Sequence, residues 1–272
     1  MDLGIRGRVA VVTGSSAGIG RAIALAFARE GVRVVLSARG RERLERTREE
    51  LLAGGHEVEA VPADVATREG AEAVVGRAVE RWGRLDILVN NAGGGTGGRA
   101  GFLALEDEDW RRAWEQNLMS AVWCSRSAIP HMQKQRWGRI VHIASTSGHQ
   151  PDVVVPHYNV AKAGLINLSK TLANAFGADG ILVNCVCPGL VRTPAVEAAA
   201  RRRLEEQGVE TGGKTAEELV REYWQNRRSF PAGRIGEPED VAGLVVFLSS
   251  ELASWITGAC FDVDGGWTKS ML

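Results

Sequence analysis

The sequence predicts an α/β protein in which a doubly wound parallel sheet of seven strands carries helices on both faces. Short apolar runs alternate with longer amphipathic segments along the whole chain, which favours parallel strands joined by right-handed helical crossovers. The apolar runs are rich in Val and Ile, as expected for strands that are buried on both faces. A glycine-rich turn, TGSSAGIG, follows the first of them and is typical of the opening unit of such a sheet.

The first half of the chain shows the alternation most clearly. Strand RVAVVTG leads into helix IGRAIALAFAREG, and strand VRVVLSAR leads into the charged helix RERLERTREELLAGG. Glycine at the end of each helical segment predicts a stop, because glycine adopts the left-handed conformation easily. Strand EVEAVPAD, helix REGAEAVVGRAVERWG and strand LDILVNNAG complete this half.

The second half begins with a long helical segment from about Leu105 to Gln135. The remaining predicted elements are strand GRIVHIAS, helix YNVAKAGLINLSKTLANAFG, strand ILVNCVCPG, helix EPEDVAGLVVFLSS and a last strand, ACFDVDGG. Residues 194–230 are charged, are interrupted by TGG and follow a strand. A long insertion at the carboxyl end of a strand is where a substrate lid would lie, although a solvated surface excursion fits the same pattern.

Composition is that of a soluble, single-domain protein. The 272 residues are 44% hydrophobic and carry 33 basic and 33 acidic side chains. No Pro/Ser-rich linker divides residues 1–272, which predicts one domain. The balanced charge argues against nucleic acid as a partner. The lack of a signal-peptide layout and of a membrane-length apolar run favours a cytoplasmic protein without membrane contact.

The four cysteines are Cys124, Cys185, Cys187 and Cys260, with no CxxC pair and no nearby histidine cluster. Cys185 and Cys187 are expected to point to opposite faces of their strand. We interpret all four as small apolar residues in a reducing compartment. The sequence therefore predicts neither a disulfide nor a metal site.

The turn TGSSAGIG runs from Thr13 to Gly20, between the first strand and the first helix. Glycine there lets the backbone approach a ligand closely. The start of the helix then offers unbonded N–H groups and a positive dipole end to a pyrophosphate. A tight turn without a ligand is the alternative. The candidate phosphate-binding residues are Gly14, Ser16, Gly18, Ile19 and Gly20.

Several motifs, taken in order, make the chain similar to the classical short-chain dehydrogenases/reductases, which have a Rossmann-type fold, and within them to 3-oxoacyl-type ketoreductases. The resemblance covers nearly the whole length. It rests on the spacing TGxxxGIG, ADV at 63–65, NNAG at 90–93, Asn117, Ser145, YNVAK at 158–162 and PGLVRT at 188–193. It implies an oxidoreductase that transfers a hydride between a nicotinamide dinucleotide and a ketone or secondary alcohol.

Tyr158 and Lys162 lie four residues apart and therefore on one face of the predicted helix. Alone, the pair would fit a solvated helix face, but Ser145 ends the preceding strand at the sheet edge where such folds bind ligands. A phenol there can exchange a proton with a carbonyl oxygen, an ammonium favours the phenolate, and a serine hydroxyl can hold the substrate oxygen. The resemblance adds Asn117 as the anchor of a water path to Lys162, and gives the lysine a contact to the nicotinamide ribose. The predicted catalytic set is Asn117, Ser145, Tyr158 and Lys162.

The end of the second strand, VVLSARGRERLE, should lie beside the adenosine ribose. NAD-preferring members of the family commonly have an aspartate where this chain has Ala38, and the adjacent guanidinium of Arg39 suits a 2′-phosphate. NADP is therefore the favoured cofactor and NAD the alternative. Arg41 and Arg43 either assist Arg39 or are solvated helix positions.

The resemblance also implies contacts along the rest of the dinucleotide. Asp64 and Val65 should touch the adenine, although Asp64 equally fits a turn residue. Asn91 should brace its strand and line the cofactor. The backbone of Val191 and the hydroxyl of Thr193 should hold the nicotinamide carboxamide.

The sequence does not identify the substrate. Tyr223 and Trp224 either cover an apolar substrate or pack the lid onto the core, and His149 and His157 either touch substrate or pack their loops. Asp179 stands where carrier-protein reductases of this kind often have a basic residue, which weakens the case for a carrier-bound substrate. The resemblance implies a homo-oligomer, usually a tetramer. An NAD-dependent secondary-alcohol dehydrogenase and a non-catalytic dinucleotide-binding regulator are the alternative functions.

Overall fold

The computed structural model describes residues 2–95, 101–225 and 230–269. Within them, seven strands form one parallel sheet, as predicted. The strands are β1 (Val9–Thr13), β2 (Arg33–Ala38), β3 (Val58–Pro62), β4 (Ile87–Asn90), β5 (Gly138–Ile143), β6 (Ile181–Pro188) and β7 (Cys260–Val263). Their spatial order is β3-β2-β1-β4-β5-β6-β7. The direction of winding reverses between β1 and β4, which opens a crevice beyond the carboxyl ends of these strands.

Helices cover both faces of this sheet. The α-helices are α1 (Gly18–Arg29), α2 (Arg41–Ala53), α3 (Arg68–Trp82), α4 (Asp107–Trp114), α5 (Ser120–Gln135), α6 (Pro156–Phe176), α7 (Pro194–Glu206), α8 (Ala216–Val220) and α9 (Pro238–Leu248). Helix α1 packs against α9 on one face, and α3 packs against α5 on the other. None of the helices in the described ranges is both long and apolar enough to cross a membrane.

Strand β1 shows why the predicted strands lack polar alternation. Ala10 and Val12 join the apolar core beneath α1 and α9, whereas Val9 and Val11 join the core beneath α3 and α5. All four side chains are fully buried, because successive residues of a strand point to opposite faces. A strand that is covered on both faces therefore needs an apolar side chain at every position.

The long helical segment predicted from about Leu105 to Gln135 begins at Asp107 and is not uniform. A π-helical turn spans Glu115–Met119, between α4 and α5. Such a turn places one extra residue inside a helix and is frequent at functional sites. Asn117 lies at the middle of this turn.

The insertion predicted at residues 194–230 is largely helical. It contains α7, α8 and a second π-helical turn at Arg221–Gln225, while residues 226–229 lie outside the described ranges. Trp224 is buried and packs against Ala200 and Val220, with Tyr223 at the edge of the same cluster. These aromatic residues therefore hold the segment together, which favours packing over substrate contact as their role.

Candidate active site

The glycine loop between β1 and α1 depends on backbone conformations that side chains disfavour. Gly14 and Gly18 have φ angles of 66° and 55°, in the left-handed region that glycine adopts without strain. A Cβ on Gly20 would collide with the Asn91 amide and with the Gly14 carbonyl oxygen. The loop thus keeps the start of α1 open to a ligand, where its first N–H groups favour an anion.

Asn91 braces this loop from the end of β4. Its Nδ2 donates to Thr13 O at 2.8 Å and to Gly14 O at 3.2 Å, and its backbone N–H donates to Thr13 Oγ1 at 3.0 Å. The side chain ties the turn after β1 to the neighbouring strand, which is the bracing role expected for it.

Two adjoining cavities follow the carboxyl edge of the sheet. The larger, of about 410 Å³, is lined by ten of the predicted site residues: Gly14, Gly18, Ile19, Gly20, Asn91, Ser145, Tyr158, Lys162, Val191 and Thr193. The smaller, of about 290 Å³, is lined by Gly14, Ser16, Arg39, Asp64 and Val65. Gly14, Arg43 and Gly93 border both cavities. All the predicted site residues except Asn117 therefore line one continuous cleft of a size that suits a dinucleotide.

Asn117 lies directly behind this cleft. Its Oδ1 accepts from Gly94 N at 2.9 Å, and its Nδ2 donates to Gly94 O at 3.1 Å and to Ala113 O at 3.0 Å. The last contact is with a helix carbonyl four residues earlier, where the π turn departs from regular α-helical bonding. A Cβ on Gly93 would lie 2.7 Å from Asn117 Oδ1 and 3.2 Å from Lys162 Nζ. The Asn117 and Lys162 side chains therefore both approach Gly93.

Lys162 is a buried amine. Only 3% of the residue is exposed, and its Nζ donates to Ile143 O at 2.8 Å. Burial lowers the pKa of Lys162 to about 8, because a charged amine loses its hydration. Near neutral pH the group therefore exists in both protonation states.

Tyr158 and Ser145 both line the larger cavity. Burial raises the pKa of Tyr158 to about 12, although the neighbouring Ser145 hydroxyl acts in the opposite direction. The Ser145 hydroxyl also accepts from Ser147 N at 3.1 Å. The lowering of the phenol pKa that was expected from Lys162 is not found, since loss of hydration is the largest influence and raises the pKa. The phenol is instead held protonated.

Thr193 and Val191 lie on the opposite wall of the cleft. Thr193 caps α7, accepting from Val196 N at 3.3 Å, and a Cβ on Gly18 would lie 3.0 Å from Thr193 Cγ2. Thr193, which directly precedes the 194–230 segment, therefore lies close to the glycine loop. Val191 is buried and pairs with Gly236 as an isolated β-bridge.

The adenosine end of the cleft carries two arginines. Arg39 follows β2 and Arg43 lies in α2, and both side chains line the smaller cavity. Within the described part of the chain neither forms an ion pair, whereas Arg46 of the same helix pairs with Glu42 at 2.7 Å. Arg43 also lines the larger cavity, which favours a ligand contact over the solvated position considered from the sequence.

Asp64 serves as a turn residue at this end. Its Oδ1 accepts from Ala66 N at 3.0 Å, and its carbonyl oxygen accepts from Thr67 Oγ1 at 2.9 Å. The residue also borders the smaller cavity next to Val65. Both interpretations of Asp64 are thus compatible with its position.

Sequence reasoning missed His142, a fully buried residue on β5. Burial, together with the nearby Lys162, lowers the pKa of His142 to about 3, so the imidazole stays neutral. Its Nδ1 lies 3.3 Å from Asn90 Nδ2. A histidine within an otherwise apolar strand was the only signal in the sequence. His157, by contrast, is buried against Trp110 with ring centroids 6.2 Å apart, so it packs its helix.

One expectation about the cysteines was wrong. Cys185 and Cys187 share a face of β6, because strand side chains return to the same face every second residue. Cys187 Sγ lies 3.3 Å from Cys260 Sγ on the neighbouring strand β7. The cysteines of this edge therefore form a cluster, while Cys124 is buried in the core on its own helix.

These features define the class of protein before any comparison. A cradle for a pyrophosphate at one end of a cleft, with acid–base groups at the other, belongs to a dinucleotide-dependent oxidoreductase.

Comparison with known proteins places the chain more closely. The family model described as Enoyl-(Acyl carrier protein) reductase matches residues 14–268. The chain belongs to the short-chain dehydrogenase/reductase family, as its motifs indicated.

Relatives and solved structures of several activities resemble the chain over nearly its whole length. It is 35% identical over 265 residues to (2S)-[(R)-hydroxy(phenyl)methyl]succinyl-CoA dehydrogenase subunit BbsD of Thauera aromatica, covering 97% of this chain and 98% of that protein. It is 34% identical to 3-oxoacyl-[acyl-carrier-protein] reductase FabG of Thermotoga maritima, covering 96% and 98%. The crystal structure of L-sorbose reductase from Gluconobacter frateurii, complexed with NADPH and L-sorbose, is 40% identical with a TM-score of 0.91, covering 100% of both chains.

Proposed function

We propose that this protein transfers a hydride between NADP(H) and a ketone or secondary alcohol, with Tyr158 as the proton donor and acceptor. The observation that carries the proposal is that Tyr158, Ser145 and the glycine loop line the same cavity. Reduction of a carbonyl group needs a hydride at the carbon and a proton at the oxygen. A dinucleotide site next to acid–base groups supports this reaction, because it brings both to one C=O bond.

The chain's own residues supply the proton chemistry. When bound, the reduced nicotinamide ring supplies the hydride to the carbonyl carbon. Tyr158, held neutral by burial, gives its proton to the carbonyl oxygen. Ser145 donates a hydrogen bond to the same oxygen and stabilises the charge that develops there.

Lys162 and Asn117 maintain the proton supply. The amine of Lys162 titrates near pH 8, so it can both give and accept a proton at physiological pH. Asn117 meets Lys162 at Gly93 and is fixed by backbone contacts to Gly94 and Ala113. These contacts support its role as a positioning residue for water next to the lysine.

NADP as the preferred cofactor is supported by the adenosine end of the cleft. Arg39 and Arg43 offer guanidinium groups at the smaller cavity, and Ala38 offers no carboxylate to repel a 2′-phosphate. The L-sorbose reductase and a variant actinorhodin polyketide ketoreductase were both solved with NADPH. The remaining cofactor contacts are proposed from the cavity lining: Gly14, Ser16, Gly18, Ile19, Gly20, Asp64, Val65, Asn91, Val191 and Thr193.

A small, unattached carbonyl compound is the proposed substrate. Arg136 Nη1 lies 4.0 Å from the carboxylate of Asp179, and Arg139 is buried beneath Trp137. This surface therefore offers less positive charge to an acidic carrier protein than its sequence suggests. The segment 194–230 contributes Pro194, Ala195 and Val196 to the wall of the larger cavity, which supports its role as a substrate lid.

The test is a substrate panel with the purified protein. NADPH is mixed with ketoses such as L-sorbose, with cyclic diketones and with 3-oxoacyl thioesters, and the loss of NADPH absorbance is followed. We expect turnover with at least one free ketone and faster turnover with NADPH than with NADH. A clear NADH preference would favour the NAD-dependent alcohol dehydrogenase, and tight NADPH binding without turnover on the whole panel would favour the regulator.

A homo-oligomer is proposed from the sheet edge. Cys260 and Asp262 of β7 are exposed, and edge strands are normally covered. Trp114, at the end of α4, and Val160, on α6, are exposed by 45% and 48%, so the two helices also present apolar side chains that a partner subunit could cover. Sedimentation at micromolar concentration should give the mass of a multimer, a tetramer by family resemblance, and a monomeric mass would contradict this.

A further inference from the structure

Two thiols and an imidazole form a cluster at the outer edge of the sheet, where no part of the hydride-transfer chemistry is assigned. The sulfurs of Cys187 and Cys260 lie 3.3 Å apart. The potential ligand atoms of Cys187, Cys260 and His149 all lie within 4.8 Å of one another. We propose that these three residues bind a Zn²⁺ ion.

The separations are close to those of a bound ion. Tetrahedral Zn²⁺ with Zn–S distances of about 2.3 Å places two sulfur ligands roughly 3.8 Å apart. Movements on the order of 1 Å would bring the three side chains to that geometry. Thiolate and imidazole are ligands that suit Zn²⁺, and two thiolates neutralise its charge. Three protein ligands leave a tetrahedral ion one position for a solvent molecule.

Asp262 supplies the outer support that metal-binding histidines have. Its Oδ1 lies 3.2 Å from His149 Nε2, so Nδ1 is the nitrogen that remains for a metal ion. A carboxylate on the second ring nitrogen fixes the tautomer and the orientation of the imidazole. Asp262 is two residues after Cys260 on β7, so one short strand provides both a ligand and this support.

The register of the sheet argues against a Cys187–Cys260 disulfide. Cys260 pairs with Cys185, and Cys187 pairs with Asp262. Cys187 and Cys260 are therefore offset by two residues on adjacent strands, which puts their Cα atoms about 8 Å apart. Disulfides need Cα separations below about 7 Å. The two sulfurs are close, but their Cα atoms are too far apart for a disulfide. An ion that bridges the sulfurs fits this geometry better.

The cluster has a route of entry from solvent. Cys187 is fully buried, but Cys260 and His149 are exposed. The three ligands come from the loop after Ser145, from the end of β6 and from β7. A bound ion would therefore fasten the loop beside the catalytic serine to the sheet edge, next to Pro188 of the cofactor cavity. The inference does not depend on the proposed hydride transfer.

The test is a titration of the reduced, chelator-treated full-length protein with Co²⁺ under anaerobic conditions. Co²⁺ replaces Zn²⁺ in such sites and reports thiolate ligands by charge-transfer absorption and tetrahedral geometry by visible d–d bands. We expect one Co²⁺ per chain with both signatures, displaced by one equivalent of Zn²⁺. The wild-type protein should also melt at a higher temperature with Zn²⁺ present.

Variants locate the site. Cys260→Ser and His149→Ala should lower the Co²⁺ affinity by at least about 100-fold, and Asp262→Asn should lower it by about 10-fold. Cys124→Ser removes a buried thiol elsewhere and should leave the titration unchanged. No stoichiometric Co²⁺ binding, binding without thiolate charge transfer, or a spectrum that persists in Cys260→Ser would each overturn the proposal. A Cys185–Cys260 disulfide that survives reduction and prevents metal uptake would overturn it as well.

Discussion

The two ends of the cleft differ in what forms them: backbone conformation at one end and side-chain groups at the other. At the glycine-loop end, backbone conformation sets the shape: Gly14 and Gly18 have positive φ angles, and Gly20 leaves room for the Asn91 amide. At the proposed catalytic end, side chains set the chemistry: Tyr158 and Ser145 line the cavity, and Lys162 is buried beside them. One end needs side chains to be absent, and the other needs particular atoms to be present.

This contrast separates binding from turnover. A change at the loop end should alter shape, and with it both cofactor affinity and the free energy of unfolding. A change at the catalytic end removes a reacting atom and leaves the cleft intact. The following predictions test this division, from the largest expected effect to the smallest.

Tyr158→Phe should lower kcat by about 10²- to 10⁴-fold, because it removes the proton donor. NADPH affinity, measured by fluorescence titration, should be unchanged, because the phenyl ring still fills the floor of the cavity. If the variant turned over at near-normal rates, another group would have to supply the proton.

Gly20→Ala should destabilise the protein by about 1–3 kcal/mol and weaken NADPH binding, since the new methyl group meets Asn91 and the Gly14 carbonyl. Gly76→Ala is the matched control, because that position in α3 has no atom within 4 Å of a new Cβ. The control should stabilise the protein by about 0.5–1 kcal/mol. Denaturant unfolding of both variants measures the difference, and equal effects would show that the loop is not tightly packed.

Arg39→Ala and Arg43→Ala should each lower kcat/KM for NADPH by about 10-fold, the usual worth of a charge-assisted hydrogen bond. Efficiency with NADH should stay the same, because that cofactor has no 2′-phosphate. Arg46→Ala is the control on the same exposed helix, where the guanidinium pairs with Glu42. A parallel loss with both cofactors would mean that the arginines support the fold and do not read the phosphate.

The pKa of Tyr158 should fall by at least about one unit when NADP⁺ binds, because a positive ring beside the phenol favours the phenolate. The chain has only two tyrosines, so Tyr223→Phe leaves Tyr158 as the single titrating phenol. In this variant, phenolate absorbance should stay low up to about pH 11 without cofactor, given a pKa of about 12. Adding NADP⁺ should move its onset to lower pH, and an identical onset with and without NADP⁺ would contradict the coupling.

Much of the fold could be predicted because strands that are buried on both faces must be apolar at every position, which is visible in the sequence. The apolar strands and the glycine-terminated helices indicated the sheet and its layers, and the motifs indicated the residues that line the cleft. The adenosine end was harder to predict. Arg43 has the same local pattern as Arg46 on the helix surface, and only the position of α2 beside β2 brings it to the cavity.

Other features depend on contacts between distant segments. The phenol pKa follows from how much hydration Tyr158 loses to distant segments that pack around it, which one residue and its neighbours in sequence do not reveal. The thiol cluster depends on which strand lies next to β6 and in which register, and on His149 approaching from a loop. The π-helical turn at Asn117 has no composition that marks it.

That turn has a consequence for how this helix tolerates changes in length. Each residue advances an α-helix by about 100°, so the additional residue at Glu115–Met119 sets the rotational phase of everything that follows. Deleting one residue there would restore regular winding but turn the buried face of α5, including Cys124 and Met132, away from α3. The same extra residue thus determines two things: the position of the Asn117 amide near Lys162, and which face of α5 packs against α3 and the sheet.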